Sequence, residues 1–211
     1  MSVITPTWQR HETLLSRCIP SVQAQSVPVA EHVIVSDGPD PELASREWPA
    51  GVAYSELPGH DPALRWGIRA RLEAIERSRG TLIAYLDDDD AWRPDHVAVL
   101  TAALQSDPDA QFAYSRMLVH EPWGTFRFGD GPIAYGRIGT PMIMHRRGLL
   151  DVATWEHSLP SDDWDLVRRW LEAGTPYVSV DAVTVDYYPA KPIDRNLAVP
   201  ASFPPWSKAY A

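Results

Sequence analysis

At 211 residues the chain fits one domain with a sizeable core, and its 45% hydrophobic and 22% charged content describes an ordinary globule, not a disordered or fibrous chain. A formal charge of -9 argues against a general nucleic-acid binder, which presents a basic surface to many phosphates, but leaves open a small phosphorylated ligand held by a few arginines and a metal. The lone Cys18 excludes an internal disulfide; no run is long and apolar enough for a membrane span and no leader pattern stands at the start, so a cytoplasmic location is the default expectation.

Ser2-Val3-Ile4-Thr5 reads as a short strand that Pro6 ends, followed by the loop 7–10. A helix over 12–25 carries Leu14, Leu15, Cys18, Ile19 and Val22 on one stripe, bent at Pro20. Cys18 is then a buried small hydrophobe. Glu31 to Ser36 is a second strand that runs into Asp37-Gly38-Pro39. A short helix over 41–46, a strand over 52–55 and a helix over 63–79 follow. Arg65, Arg69, Arg71, Arg77 and Arg79 give that last helix a positive side, mostly solvated, with one or two guanidinium groups suited to a diphosphate.

Thr81-Leu82-Ile83-Ala84-Tyr85-Leu86 reads as a buried strand delivering Asp87, Asp88, Asp89 and Asp90 at its C-terminal end. Four adjacent carboxylates repel one another and raise each other's pKa unless a cation compensates, and a hard divalent ion suits their oxygens. Helix initiation is the competing explanation of the same acids, since Pro94 and Asp95 open the next helix. Two apolar strands separated by a helix that both end in Asp describe a nucleotide crevice in a mostly parallel sheet.

Beyond it, 94–105 is a helix, 111–119 a strand, and the aromatic stretch 122–137, with Trp123, Phe126, Phe128 and Tyr135, a hairpin excursion. This stretch is also a candidate sugar-stacking surface or homodimer contact. A strand over 140–145 and a short helix at 146–150 precede an amphipathic helix over 161–171, for which Ser161 is a cap and Asp162 and Asp163 lie in the first turn. Two strands, 177–180 and 183–187, lead to a Pro/Trp-rich tail at 189–211. His60 and His120 read as loop or surface residues.

In this order the motifs resemble glycosyltransferase family 2, with its GT-A fold. Val3-Ile4-Thr5-Pro6-Thr7-Trp8-Gln9-Arg10 is similar to that family's first strand and Pro-Thr-Tyr-Asn-Arg turn, and Val33-Ile34-Val35-Ser36-Asp37-Gly38 to its second strand. Ala70-Arg71 stands sixteen residues before Asp87, as the family's Ala-Arg-Asn stretch does. Leu86 through Pro94 resembles the Asp-X-Asp region, and Ser161-Asp162-Asp163-Trp164 the Glu-Asp-Trp helix start. The resemblance implies an α/β, Rossmann-like GT-A domain at 1–188 with a mostly parallel sheet and a small mixed-sheet or hairpin region on the acceptor side. The nucleotide-sugar half is 1–110 and the acceptor and base-bearing half 111–188.

It also implies roles. Thr7, Trp8 and Asp37 enclose the nucleobase, and Arg71 reaches the diphosphate region. Asp87 turns toward the ribose or a metal water, Asp89 binds Mg²⁺ or Mn²⁺, and Asp88 points away. Asp163, with Asp162 as competitor, is the general base for inverting transfer from a nucleotide sugar, UDP-linked in first expectation, to a small-molecule or glycan hydroxyl. The chain departs from the family pattern at Trp8-Gln9, Leu72 and Asp162, and has no histidine after His157 to serve as a late metal ligand; Tyr187, Tyr188, Lys191 or His145 are the substitutes. A nucleotidyltransferase is the alternative, although Pro6-Thr7-Trp8 stands where its glycine-rich loop belongs. A non-catalytic sugar-binding protein is the other.

Overall fold

The computed structural model describes residues 1–64, 67–156 and 161–189. The first half runs β1 (Ser2–Thr7), α1 (His11–Thr13), a π-helical turn (Leu14–Cys18), α2 (Ile19–Gln23), β2 (Glu31–Ser36), α3 (Pro41–Ala44), β3 (Val52–Glu56), α4 (Ile68–Arg77), β4 (Leu82–Tyr85), β5 (Ala91–Trp92) and α5 (His96–Ser106). The second half runs β6 (Phe112–Glu121), β7 (Gly124–Phe128), a 3-10 turn (Thr140–Met142), β8 (Ile143–Arg146), a 3-10 turn (Arg147–Asp151), α6 (Asp162–Glu172) and β9 (Tyr177–Tyr187).

Among the described residues the strands form one sheet in the order β3-β2-β1-β4-β8-β6-β9-β5, with β7 paired to β6. β3, β2, β1 and β4 are mutually parallel, β8 is antiparallel to both β4 and β6, and β9 is parallel to β6. The chain therefore winds outward from β1 to β3, then returns to the other side of β1 as β4. That reversal is where open α/β sheets form a ligand crevice beyond the strands' C-terminal ends. The parallel strands read as unbroken apolar runs because both of their faces are covered: Val3, Ile4, Val33, Ile34, Val35, Ile83, Ala84 and Tyr85 are all buried, and α4 packs on β1 and β2.

β1 does not stop at Pro6, as the sequence led us to expect; Pro6 pairs with Val35 and Thr7 with Ser36. Alternation along the strand explains the tolerance. The Leu86 amide donates to the Ile4 carbonyl (3.1 Å), so Ile4 and Pro6 turn their polar backbone toward β4, whose ladder with β1 ends at Ile4 opposite Tyr85. The amide that proline lacks is replaced by the Thr5 hydroxyl, which donates to the Leu86 carbonyl at 2.7 Å.

The expected single helix over 12–25 is interrupted by the π turn, in which the Ile19 amide donates to Leu14, five residues back. Pro20 has no amide to continue the normal ladder, and the wide turn ends just before it. Leu14, Cys18, Ile19 and Val22 are buried as expected, with the Cys18 Sγ 3.7 Å from the Thr5 hydroxyl.

The two strands expected near the end are one, β9, whose pairing to β6 shifts register around Arg116. A bulge in one continuous strand imitates a break in the apolar alternation. The start of the strand expected over 140–145 is a 3-10 turn through Pro141, and β5 was not foreseen at all. Of the stretch 122–137 expected as a hairpin excursion, Gly124–Phe128 form β7, which pairs back on β6 over Met117–Glu121, with Phe126 and Phe128 half-buried. Arg65, His157 and the tail beyond Pro189, Lys191 included, lie outside the described residues.

Three histidines are sealed into this core. His32 bonds the Thr5 hydroxyl (2.8 Å), His96 the Thr184 hydroxyl (2.7 Å) and His145 the Tyr85 hydroxyl (2.7 Å). Burial lowers His32 and His96 to about 3 and His145 to about 4. A folded-state pKa below the unfolded one means that unfolded chains bind the extra proton, so each of these groups costs stability as pH falls below the ordinary histidine value near 6.5. We expect His96→Gln to lose about 1.4 kcal/mol less unfolding free energy than the parent between pH 7.5 and 5.5, measured by urea titration at both pH values. An identical pH dependence in the two proteins would show that His96 takes up its proton in the fold.

Candidate active site

Three strand ends border the crevice. β1 supplies Thr7, β2 runs into Asp37, and β4 runs into Asp87 through Asp90. The Asp37 amide donates to the Thr7 carbonyl at 2.9 Å, which fixes the first two ends to each other. Asp37 is 2% exposed. Its Oδ2 lies 3.0 Å from His60 Nδ1, while its buried Oδ1 has no partner. Burial raises the Asp37 pKa, opposed by His60. The His60 ring also lies flat on Trp8, with centroids 4.6 Å apart and planes 6° apart. Gly38, at φ +142°, permits this approach: a Cβ there would sit 2.6 Å from the Trp8 ring. His60 is an exposed loop residue, as expected, and its ring is nevertheless held by Trp8 and Asp37.

The acids at the end of β4 are not equivalent. Arg71 on α4, 3% exposed, donates from Nη2 to Asp87 Oδ1 at 2.9 Å. Its guanidinium lies 4.3 Å above the Trp155 ring, a cation-π contact that holds it in place. Arg71 is therefore buried, not part of a solvated positive face. Arg10 donates to Asp88 (3.2 Å) and to the Asp89 carboxylate, and Arg17 to the Asp89 carbonyl. Asp88 is buried and pushed up to about 7 by that burial, with Thr7 and Arg10 pulling the other way. Asp89 is raised by burial and by Asp87, against Arg10. Asp90 is fully buried; its Oδ1 accepts the Tyr188 amide at 2.9 Å, its Oδ2 has no partner, and burial raises it well above the usual carboxylate range.

Tyr188 closes this side. Its ring lies between the Arg17 guanidinium (3.7 Å) and the His120 ring (4.5 Å), and His120 is anchored by Asp186 at 2.8 Å, which also takes Arg93. His120, like His60, belongs to the surroundings of the site. Tyr187 is raised by burial and then by Asp90, Asp87, Asp89 and Asp163, so the acids of the β4 loop and of α6 share one neighbourhood.

Asp163 comes to that neighbourhood on the first turn of α6. Ser161 caps the helix, accepting from the Trp164 amide at 3.4 Å. Asp163 Oδ1 accepts the same amide at 2.7 Å and the Ser161 hydroxyl. Burial raises the Asp163 carboxyl against these two bonds; Asp87 raises it further and Arg71 lowers it. Tyr135, from the aromatic stretch, is raised by burial and by Asp163. Asp162, the adjacent acid, is 5% exposed.

No group of three or more His, Cys, Asp or Glu side chains able to hold a metal occurs among the described residues. His145 is excluded as a substitute ligand because it is sealed against Tyr85 in the core. The donor set of Asp87 and Asp89 nevertheless fits a hard divalent ion of the kind bound through one or two carboxylates and completed by phosphate oxygens. Burial is the main reason the Asp88, Asp89 and Asp90 carboxyls are raised, and their mutual repulsion adds to it, so a cation bound at this loop would favour their ionised forms.

Thr7, Trp8, Asp37, Asp87, Asp88 and Asp89 lie at the C-terminal ends of β1, β2 and β4, Arg71 reaches Asp87 from α4, and Asp163 lies within the field of Asp87. Sequence reasoning missed Arg17, His60, His120 and Trp155, because loop and single-contact residues carry no periodic signal.

A fragment of Staphylococcus aureus TarS superposes with a TM-score of 0.70 at 17% identity, covering 89% of this chain and 60% of that one. The same fragment in complex with UDP-GlcNAc gives 0.69 at 17% identity, covering 91% and 59%. An uncharacterized protein, y4gI of Sinorhizobium fredii, is 32% identical over 123 residues, 54% of this chain and 13% of its own length. The chain thus spans a minor part of that relative and about three-fifths of the solved fragment. No helix among the described residues is long and apolar enough to cross a membrane. The family model for glycosyl transferase family 2 matches residues 2–158, from the first strand through the acid loop and Trp155, and the chain belongs to that family.

Proposed function

We propose that this protein transfers a sugar from a nucleotide-sugar donor, UDP-linked by preference, to an acceptor hydroxyl with inversion. The observation that supports the reading is that the Asp163 carboxyl, raised by burial, also lies within the field of Asp87, which raises it further, and of Arg71, which lowers it, so this acid and the acids after β4 can address one substrate. A base is most effective when its pKa approaches the working pH, and burial moves Asp163 in that direction.

The nucleobase enters against Trp8 and gives its ring N–H to Asp37, while Thr7 closes the floor. Arg71, locked on Trp155, offers its fork to anionic oxygens. Asp89 and Asp87 would hold Mg²⁺ or Mn²⁺, and such an ion would supply neutralisation of charge on the departing nucleoside diphosphate. Asp163 accepts the proton of the acceptor hydroxyl as that oxygen bonds to the anomeric carbon from the face opposite the diphosphate. The bond from the anomeric carbon to the diphosphate oxygen breaks in the same displacement, which inverts the configuration. Tyr135, whose hydroxyl feels the Asp163 charge, gives the acceptor side an aromatic ring. The donor half is 1–110 and the acceptor half 111–188.

The experiment is a thermal-shift screen of UDP-, dTDP- and GDP-sugars with Mn²⁺. At about 100 times Kd a ligand stabilises by about 2.7 kcal/mol, which for a chain of this length is a Tm rise of roughly 5–10 °C. We expect the UDP series to give the largest rise and EDTA to diminish it. No shift with any nucleotide sugar at millimolar concentration would overturn the reading.

A further inference from the structure

The slot described for the nucleobase is already filled by a side chain of the protein. A bound base lies flat against an aromatic ring and donates a ring N–H to a buried carboxylate. The His60 imidazole does both: it is stacked on Trp8 with planes 6° apart, and its Nδ1 lies 3.0 Å from Asp37 Oδ2 and 3.2 Å from the Asp37 carbonyl. Asp37 Oδ1 is left unpartnered in the floor, as expected of an acceptor shaped for a ring larger than imidazole.

The position of His60 is built, not incidental. Gly38 is the residue that lets His60 and Trp8 approach Asp37, since a Cβ there would meet the Trp8 ring at 2.6 Å and the His60 amide at 3.0 Å. Arg69 on α4 holds the same loop through the Gly59 carbonyl at 3.3 Å. The His60 side chain keeps 32% of its surface exposed, so it has room to leave without unpacking the core.

We propose that His60 is an intramolecular stand-in for the donor's nucleobase, occupying the Trp8–Asp37 slot in the free protein and leaving it when the donor binds. The inference rests on the nucleotide-sugar reading above. It makes His60 a determinant of donor selection: a base binds only if it replaces both the stack on Trp8 and the N–H bond to Asp37. Bases without a ring N–H at neutral pH meet the carboxylate with a lone pair and do not displace the imidazole.

Calorimetric titration of UDP with Mn²⁺ into the parent and His60→Ala tests this. We expect His60→Ala to bind UDP about ten-fold more tightly, the scale of one hydrogen bond to a charged group no longer displaced, and to bind inorganic diphosphate unchanged. Equal or weaker UDP binding by the variant overturns the inference while leaving the nucleotide-sugar reading in place, because His60 is then a wall or a bystander. Failure of both folded proteins to bind any nucleoside diphosphate removes the reading and the inference together. Should His60→Ala not fold, the unaltered protein answers: carbethoxylation of His60, followed by peptide mass spectrometry, should accelerate when UDP is added, and protection by UDP overturns the proposal.

Discussion

Asp163→Asn should lower kcat by about 10² to 10⁴, the usual contribution of a positioned general base, with donor Kd unchanged. The substitution keeps an Oδ1 that can accept the Trp164 amide and the Ser161 hydroxyl, the two bonds Asp163 makes at the start of α6. The helix cap survives, and so does Tm. What is lost is the carboxylate that sits within the field of Asp87 and Arg71. Asp162→Asn is the control: the adjacent acid is buried, and its replacement should affect turnover far less. If Asp162→Asn is the slower enzyme, the two roles are exchanged and Asp162 is the base.

Asp89→Ala should abolish transfer and reduce donor binding in Mn²⁺ to the level seen in EDTA. Its effect on the free protein should run in the opposite direction. Burial and Asp87 both disfavour the ionised Asp89 carboxyl, so its removal relieves the loop and Tm should not fall. A variant that melts early has lost activity through unfolding, and one that turns over normally in EDTA removes Asp89 from the mechanism. Lost turnover with an intact or raised Tm is the combination that identifies a ligand group.

The parallel half of the fold was legible because its physics is repetitive. β2 was read with its observed limits, Glu31 to Ser36, because a strand buried on both faces is one apolar run ended by Asp37-Gly38. The acid loop was legible for the opposite reason, since four carboxylates leaving a buried strand have no bland place to go. What stayed hidden depends on single contacts. Pro6 was read as a terminator because the rule concerns its missing amide, and only the structure places the Thr5 hydroxyl where that amide would be. β9 was split at its bulge, and β5, two residues long, is too short to show any period. His60 and His120 were read as loop or surface residues, and their stacking on Trp8 and Tyr188 stayed hidden because nothing in the sequence tells which ring a histidine will meet. Arg71 was expected at the diphosphate from its place in the motif order, but its burial was not, because helical spacing reveals a side chain's face and not whether an indole such as Trp155 waits there.

The π turn at Leu14–Cys18 sets the angular phase of everything before it. An α-helix advances about 100° per residue, and a wide turn absorbs one residue without adding height to match. Arg10 and His11 precede that turn, and they face Asp88, Asp89 and Asp40. Arg17 lies within it and faces the Asp89 carbonyl and the Tyr188 ring. The π turn thus lies between Arg10 and His11 on one side and Ile19 and Val22 on the other, and its width sets the angle between the cationic rim and the buried stripe. The extra residue acts as a vernier: it lets one short helix serve an apolar core on one side and a negatively charged loop on the other.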